Sequence, residues 1–498
     1  MDAVFANTAH IYQTSALASI RCNREQLLAT LHTAAARAAS HGHDVLASFI
    51  QPLGEWDALK FFTAARQANM GECFFWERPS EQSALVGIDR AATITTNGST
   101  HITAAIPAWR TLLQHAVISA AQETTSLACA GPLAFGGFCF DPLSPHTPLW
   151  QGFPDGLLII PHLLFSSNVS GTTLTINTLV QINEDIEQSV EELIVKVMHL
   201  RAALEKLSTA SYLSPTDTAS LLCLHDLLPA STWMEQVAET TQCIRQGAYE
   251  KVVLARGVEV TSQTPEITFD VSTVLQRLRQ SYPTACIFAI QREEDYFVGA
   301  TPERLVCSED GQLQTMALAG SAPRGTTRVE DEQLGAELLH SAKNQGEHEI
   351  VVKTIQEALM KLCSNVWIAE APHLRKLKNV QHLETPIVGK LLPERNILEA
   401  LALLHPTPAV GGFPEQVALA AIRASEQLDR GWYAGPVGWL DASGNGEFAV
   451  ALRSALIARD KATLFAGCGI VADSDPQSEY AESCLKLQVM LRGLGDET

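Results

Sequence analysis

Strand-like and helix-like patterns succeed one another along all 498 residues of this chain, but never in a regular strand–helix–strand beat. An apolar period of 2 and one of 3.6 place side chains on incompatible faces, so this irregular order limits the fold more than any composition figure. Residues Arg24 to Ala38 set Leu27, Leu28, Leu31, Ala34 and Ala35 on one helical stripe. Val45 to Ile50, Cys73 to Trp76 and Ser83 to Ile88 read as strands. Leu133 to Phe140 is rich in glycine and aromatics, and Gly156 to Ile160 reads as a buried strand. Glu184 to Lys206 is a long helical pattern, acidic early and basic late, as the helix dipole favours. Ser208 to Ser220 contains Pro215 and lacks apolar periodicity, which marks a linker. Beyond it, Ser231 to Gln246 is helical and stops at Gly247. Lys251 to Val260 alternates as a strand, and Cys286–Gln291 with Tyr296–Gly299 reads as a hairpin turning at Arg292–Asp295. Asp475-Pro476 has the form of a helix start, with proline at the first helical position. The order points to an α+β fold, divided into 1–207, a linker region 208–230, and 231–498.

Length argues for two structural units. The composition, 46% hydrophobic and 18% charged, is that of a globular protein with a large core. A net charge of −20 without a basic patch speaks against nucleic acid and against anionic membrane surfaces. No apolar run reaches the ~18 residues of a membrane span, and Met1-Asp-Ala-Val-Phe-Ala lacks a secretory n-region. The 11 cysteines are odd in number and contain no Cys-x-x-Cys pair, so they read as reduced thiols in a cytoplasmic protein. An acidic chain with an anionic substrate needs local positive charge in its site. A metal ion with a few placed Arg or Lys residues would supply it.

Two acidic segments suggest where. Glu479 and Glu482 lie three apart, on one face of a helix. Glu347 precedes Ile350, Val351, Val352 and Ile355, so it edges a packed helix. Carboxylates from distant segments suit a hard cation such as Mg²⁺, which takes oxygen ligands and shares its shell with water and an anionic substrate.

Read with their neighbours, these segments belong to an ordered set: Lys251-Val-Val-Leu-Ala-Arg256, Gly299-Ala-Thr-Pro-Glu303-Arg304-Leu305, Leu318-Ala319-Gly320-Ser321 and Lys343-Asn344-Gln-Gly-Glu347-His348-Glu349. Then come His405-Pro-Thr-Pro-Ala-Val-Gly-Gly412, Asp429-Arg-Gly-Trp-Tyr433, Ala451-Leu-Arg453-Ser454, Ala466-Gly467-Cys-Gly-Ile470 and Glu479 to Lys486. This set resembles the chorismate-utilising enzymes, most closely their isochorismate synthases, over roughly residues 235 to 494. The resemblance implies the anthranilate synthase component I-like fold, two large antiparallel sheets packed together with helices outside. The N-terminal part then contributes to that fold.

It also implies roles. Lys251 is the general base that activates water, and Glu303 the general acid for the leaving hydroxyl. Glu347, Glu479 and Glu482 are the Mg²⁺ ligands. Asn344 is a residue that would support them, although Asn-Gln-Gly stands where relatives often have Asp-Arg-His. Arg453 and Lys486 are carboxylate contacts. Gly320, Ser321 and Gly467 bring backbone amides to the substrate, and His405 is a candidate orienting donor. Ammonia-adding relatives lack the lysine at 251, and aminodeoxychorismate enzymes carry a lysine where this chain has Ala319. The implied reaction is reversible, Mg²⁺-dependent conversion of chorismate to isochorismate, serving menaquinone, siderophore or salicylate biosynthesis. The alternative is a salicylate synthase, which continues by eliminating pyruvate. Water as nucleophile implies no glutaminase subunit, in a monomer or homodimer.

Overall fold

The computed structural model describes residues 17, 19–121, 131–209, 222–263, 268–376 and 380–496. Two sheets dominate. Among the described residues the larger has 13 strands and the smaller 10, and all pairings but one are antiparallel; the exception joins Val45–Leu53 to Val117–Ala120. Both halves of the chain supply strands to both sheets. In the larger sheet, Cys73–Arg78 pairs with Cys286–Arg292. In the smaller, Leu133–Phe138 pairs with Pro436–Asp441.

The helices begin where their chemistry says they should. Asn23 caps Arg24–His41, and Asp475 caps Pro476–Leu494 by accepting from the Ser478 amide, with Pro476 in the first turn. Gly247 adopts φ 80°, the left-handed conformation that closes helix Ala230–Arg245. The expected hairpin exists, but its strands run to Arg292 and from Asp295, so the turn is tighter than the sequence suggests. The described parts of 208–230 carry regular structure. Helix Ile186–Thr209 runs into this region, and Leu222–Asp226 is an edge strand paired with Val258–Ser262. Residues 210–221 lie outside the described residues. The apolar period was missed because Cys223, Leu224 and His225 are exposed on that edge strand, where alternation carries no burial signal.

One apolar cluster fills the space between the sheets, with the rings of Phe465, Trp150, Phe297 and Trp432 touching one after the next. The other lies between the outer face of the larger sheet and its helices. Among the described residues four connections of two or three residues carry the chain between sheets, two of them being Asp89-Arg90-Ala91 and Pro161-His162. Pro302-Glu303 links Asp295–Thr301 of the larger sheet to Arg304–Glu309 of the smaller. Ala451-Leu452-Arg453 makes the return trip, from Gly446–Val450 to Ser454–Ala458. Next to them, buried Glu447 pairs with Arg78 of one sheet and Arg304 of the other and accepts from Trp76 Nε1 at 3.3 Å.

Removing one member of such a group strands the other charges in a poorly solvated place. Glu447→Leu is expected to cost about 3–5 kcal/mol in chemical unfolding, read from the denaturant midpoint. A loss below ~1 kcal/mol would show that the arginines re-solvate without it.

Candidate active site

The connections Pro302-Glu303 and Ala451-Leu452-Arg453 are stitched together. Val450 N donates to Glu303 O at 3.0 Å, Ala300 N donates to Arg453 O at 3.1 Å, and Thr301 Oγ1 donates to Val450 O at 2.6 Å. Glu303 and Arg453 are thereby neighbours, and Arg453 is held at φ 51°, a conformation uncommon for a non-glycine residue. Arg375 reaches over from strand His373–Lys376, donating to Pro302 O at 2.9 Å and to Glu384 Oε2 at 2.9 Å.

Lys251 opens the strand Lys251–Ser262, whose neighbour Lys461–Ile470 carries Gly467 and Gly469. The lysine side chain lies over Gly469: a Cβ there would sit 2.8 Å from Lys251 Cε and 3.4 Å from Nζ. Glycine at 469 is the room in which the lysine rests. Gly467 has Tyr433 Oη 3.1 Å from its absent Cβ, and its carbonyl accepts from Lys486 Nζ at 2.8 Å. Lys486 also pairs with Glu482 at 2.7 Å, one turn back on the same helix.

Gly320 is a bulge in strand Gln312–Pro323, where the register against Val380–Leu391 slips between Ala319 and Ser321. Its φ of 75° requires glycine, and Asn344 Cβ lies 3.2 Å from where a side chain would begin. Asn344 therefore covers Gly320 and donates to Ser341 Oγ at 2.9 Å, rather than supporting Glu347. Ser321 is placed at backbone level, opposite His382. Helix Ala342–Leu359, which carries Glu347, is pinned to the sheet by buried His348, with Nδ1 3.2 Å from Ala319 O and Nε2 2.7 Å from Thr385 Oγ1.

Lys251 and Glu303 are enclosed by protein yet partly accessible, as groups in a cleft are. Burial holds the Lys251 ammonium below its usual range, opposed by the charges of Glu303 and Glu347 and assisted by Lys486. Burial likewise raises the Glu303 carboxyl, against Arg453, Lys251, Arg375 and Lys486. Burial thus works toward the neutral form of each group.

Among the described residues, the one set of three or more His, Cys, Asp or Glu donors within 4.8 Å of one another is Cys468, Glu479 and Glu482. Glu347 does not join that tight set, although its charge is felt at Lys251. Burial raises the Glu479 carboxyl, Ser474 Oγ donating at 2.7 Å opposes this, and the charge of Glu482 adds to it. Two carboxylates in mutual repulsion suit a hard divalent cation. Cys468 is buried, donates to Glu479 O at 3.3 Å, and has its thiol pushed up to about 12, so it stays a neutral thiol beside the oxygen donors.

The structure does not bring His405 to this group. Its Nε2 lies 3.2 Å from Phe140 O, its ring meets Phe140 edge-on, and burial lowers it to about 3, with His101 and Asp141 as its charged neighbours. A half-buried histidine with a backbone partner is the better description.

Sequence reasoning missed His382, which sits against the Gly320 backbone and is lowered to about 4 by burial and by Lys486. It also missed Gly469, Tyr433 and Cys468 as members of the site. The last three stand inside motifs that were recognised, but spacing alone does not tell which motif residue faces inward.

A family model described as "Chorismate binding enzyme" matches residues 31–495. The chain belongs to the chorismate-binding enzyme family. It is 37% identical over 482 residues to the isochorismate synthase MenF of Bacillus subtilis, covering 96% of this chain and 98% of that protein. It is 38% identical over 454 residues to the salicylate biosynthesis isochorismate synthase of Pseudomonas aeruginosa, covering 90% of each. The solved structure of MenF, the menaquinone-specific isochorismate synthase of Escherichia coli, superposes with a TM-score of 0.70 at 26% identity, over 93% of this chain and 99% of that one. The architecture is shared with anthranilate synthase component I of Streptococcus pneumoniae, TM-score 0.64 at 22% identity, over 82% of this chain and 92% of that one.

A carboxyl whose folded-state pKa is raised costs stability above its unfolded value and nothing below it. Glu303→Gln is therefore expected to raise the melting temperature at pH 8 by about 1–3 °C, and the gain should vanish near pH 4. A lower melting temperature at pH 8 would mean that the four surrounding cations outweigh burial.

Proposed function

We propose that this chain is a Mg²⁺-dependent isochorismate synthase that adds water at C2 of chorismate as the C4 hydroxyl leaves, reversibly. The supporting observation is the pairing of an enclosed lysine with an enclosed carboxylic acid, each biased toward its neutral form, beside converging carboxylates. Relatives named as isochorismate synthases match nearly the whole chain.

In this reading Lys251, as the free amine, takes a proton from water while its oxygen bonds to C2. Glu303 hands its proton to the departing C4 oxygen, which leaves as water. Lysine is then an ammonium and Glu303 a carboxylate, and the reverse direction runs from that state. Arg453 presents a guanidinium to a substrate carboxylate, a geometry suited to two parallel hydrogen bonds. Lys486, anchored on Gly467 O, offers a second positive contact. The backbone at Gly320, Ser321 and Gly467 would approach the substrate, and side chains at the two glycines would block that approach. Glu479 and Glu482 would hold Mg²⁺, with Glu347 of helix Ala342–Leu359, which lies outside that tight set, as a third oxygen donor; the ion when bound supplies positive charge to the substrate's ring carboxylate. Water needs no channelled ammonia, so no glutaminase subunit is called for. Among the described residues no helix is long and apolar enough to cross a membrane, and a cytoplasmic enzyme fits the free thiols.

Purified protein with Mg²⁺ is expected to convert chorismate to isochorismate, followed by chromatography, and EDTA should stop it. Full turnover in chelator would remove the metal from this account. Dominant salicylate, read by fluorescence, would identify a salicylate synthase instead.

Lys251→Ala should fold and lose roughly 10²-fold or more in turnover. Isochorismate formation at the unmutated rate would end the general-base assignment. The kcat/KM profile should fall on the acid side as Lys251 takes up a proton and on the alkaline side as Glu303 loses one. Glu303→Gln should abolish the alkaline limb.

A further inference from the structure

The Asp429–Tyr433 motif contains a side chain that the chemistry above leaves unused, Arg430. Its neighbourhood follows from counting hydrogen bonds along the Lys251 strand. One edge of that strand pairs with Lys461–Ile470 from Val252 to Thr261. The other edge has Gly412–Phe413 opposite residues 251–252 and Leu222–Asp226 opposite residues 258–262. Between these short neighbours, residues 253–257 face no strand, and a buried strand edge must find partners elsewhere.

Side chains provide most of them. Val253 O accepts from Arg430 Nη2 at 2.7 Å, Ala255 N donates to Glu426 Oε2 at 2.9 Å, and Ala255 O accepts from Trp233 Nε1 at 3.2 Å. Backbone groups complete the edge, with Val253 N donating to Gly411 O and Leu227 N to Gly257 O, both at 3.0 Å. Glu426 and Arg430 are themselves joined by two hydrogen bonds of 2.6 Å, and each side chain is 4% exposed. The remaining arm of Arg430 donates to Val410 O at 3.0 Å, and its guanidinium lies 4.3 Å from the Phe140 ring centre. One ion pair therefore grips the strand two and four residues after Lys251, together with the loop that supplies the Gly412–Phe413 neighbour.

We infer that the buried Glu426–Arg430 pair stands in for the missing neighbour strand and is a positioning element for Lys251. The inference rests on Lys251 being the base. Arg430 and Glu426 touch no reacting atom in this reading; they hold the backbone from which the lysine projects over Gly469. Displacing a catalytic group by about 1 Å can cost on the order of 10²-fold in rate, so precise anchoring of this strand end has a direct kinetic consequence.

Arg430→Lys keeps the charge opposite Glu426 but not the fork that serves Glu426, Val253 and Val410 together. Expected is a fall in kcat of about 10–100-fold with KM changed less than about threefold. Amide hydrogen exchange should accelerate in the peptide spanning residues 250–257 and not across the rest of the larger sheet. Should that variant not accumulate in folded form, Glu426→Leu/Arg430→Met removes both charges at once and leaves none unpaired; the same pattern is expected. Unchanged kcat, or uniform acceleration of exchange with activity tracking the folded fraction, would overturn the inference. If exchange loosens locally while unmutated protein turns over no chorismate, the proposed function fails and the anchoring of the strand stands.

Discussion

The candidate site is built on two of the short peptide connections between the sheets, Pro302-Glu303 in one direction and Ala451-Leu452-Arg453 in the other. Glu303 O accepts from Val450 N and Arg453 O accepts from Ala300 N, so each connection is bonded to the strand that leads into the other. The packed aromatic layer behind them and the Glu447 group beside them fix the spacing of the sheets. Lys251, Gly469 and Gly467 come to the same place at the strand ends of the larger sheet, and Gly320 and His382 come from the smaller. A site assembled from both sheets is only as rigid as the joint between them, and here that joint is covalent, short and hydrogen-bonded.

The electrostatics follow from this enclosure. The chain as a whole carries −20, yet Glu303 feels Arg453, Lys251, Arg375 and Lys486 together. Positive charge is concentrated where an anion would bind, and burial works against the charged forms of both the acid and the base. Stability is given up at these positions, since both groups would be better solvated in an unfolded chain. Cys468 shows the complementary case: a potential soft ligand stays protonated, leaving two oxygen donors to define the character of the pair.

The helices were the most legible parts. Asp475-Pro476 announces its helix by cap and proline, and the Glu479–Glu482 spacing already places both carboxylates on one face. Ser83–Ile88 and Gly156–Ile160 were readable to the residue, because strands in a core show their burial in composition. Leu222–Asp226 was not legible as a strand, since an exposed edge strand has no apolar face to display. His405 stood in a motif of the right kind, but its partner is the carbonyl of Phe140, 265 residues away. Asn344 was placed correctly on its helix, while its neighbour across the gap, Gly320, arises from a bulge that no local pattern announces.

The sequence alone determined the α+β class, the kinds of chemical group available, and the family, through nine short motifs in order. Those properties depend on residue identity and local spacing, which the linear chain contains in full. Tertiary structure decided which motif residues meet: that Gly469 rather than a side chain lies beneath Lys251, that Cys468 joins Glu479 and Glu482 while Glu347 stands apart, and that Arg430 completes a strand edge. Those outcomes depend on register, sheet crossing and burial, which are set by contacts between residues hundreds of positions apart and so leave no periodic trace in the sequence.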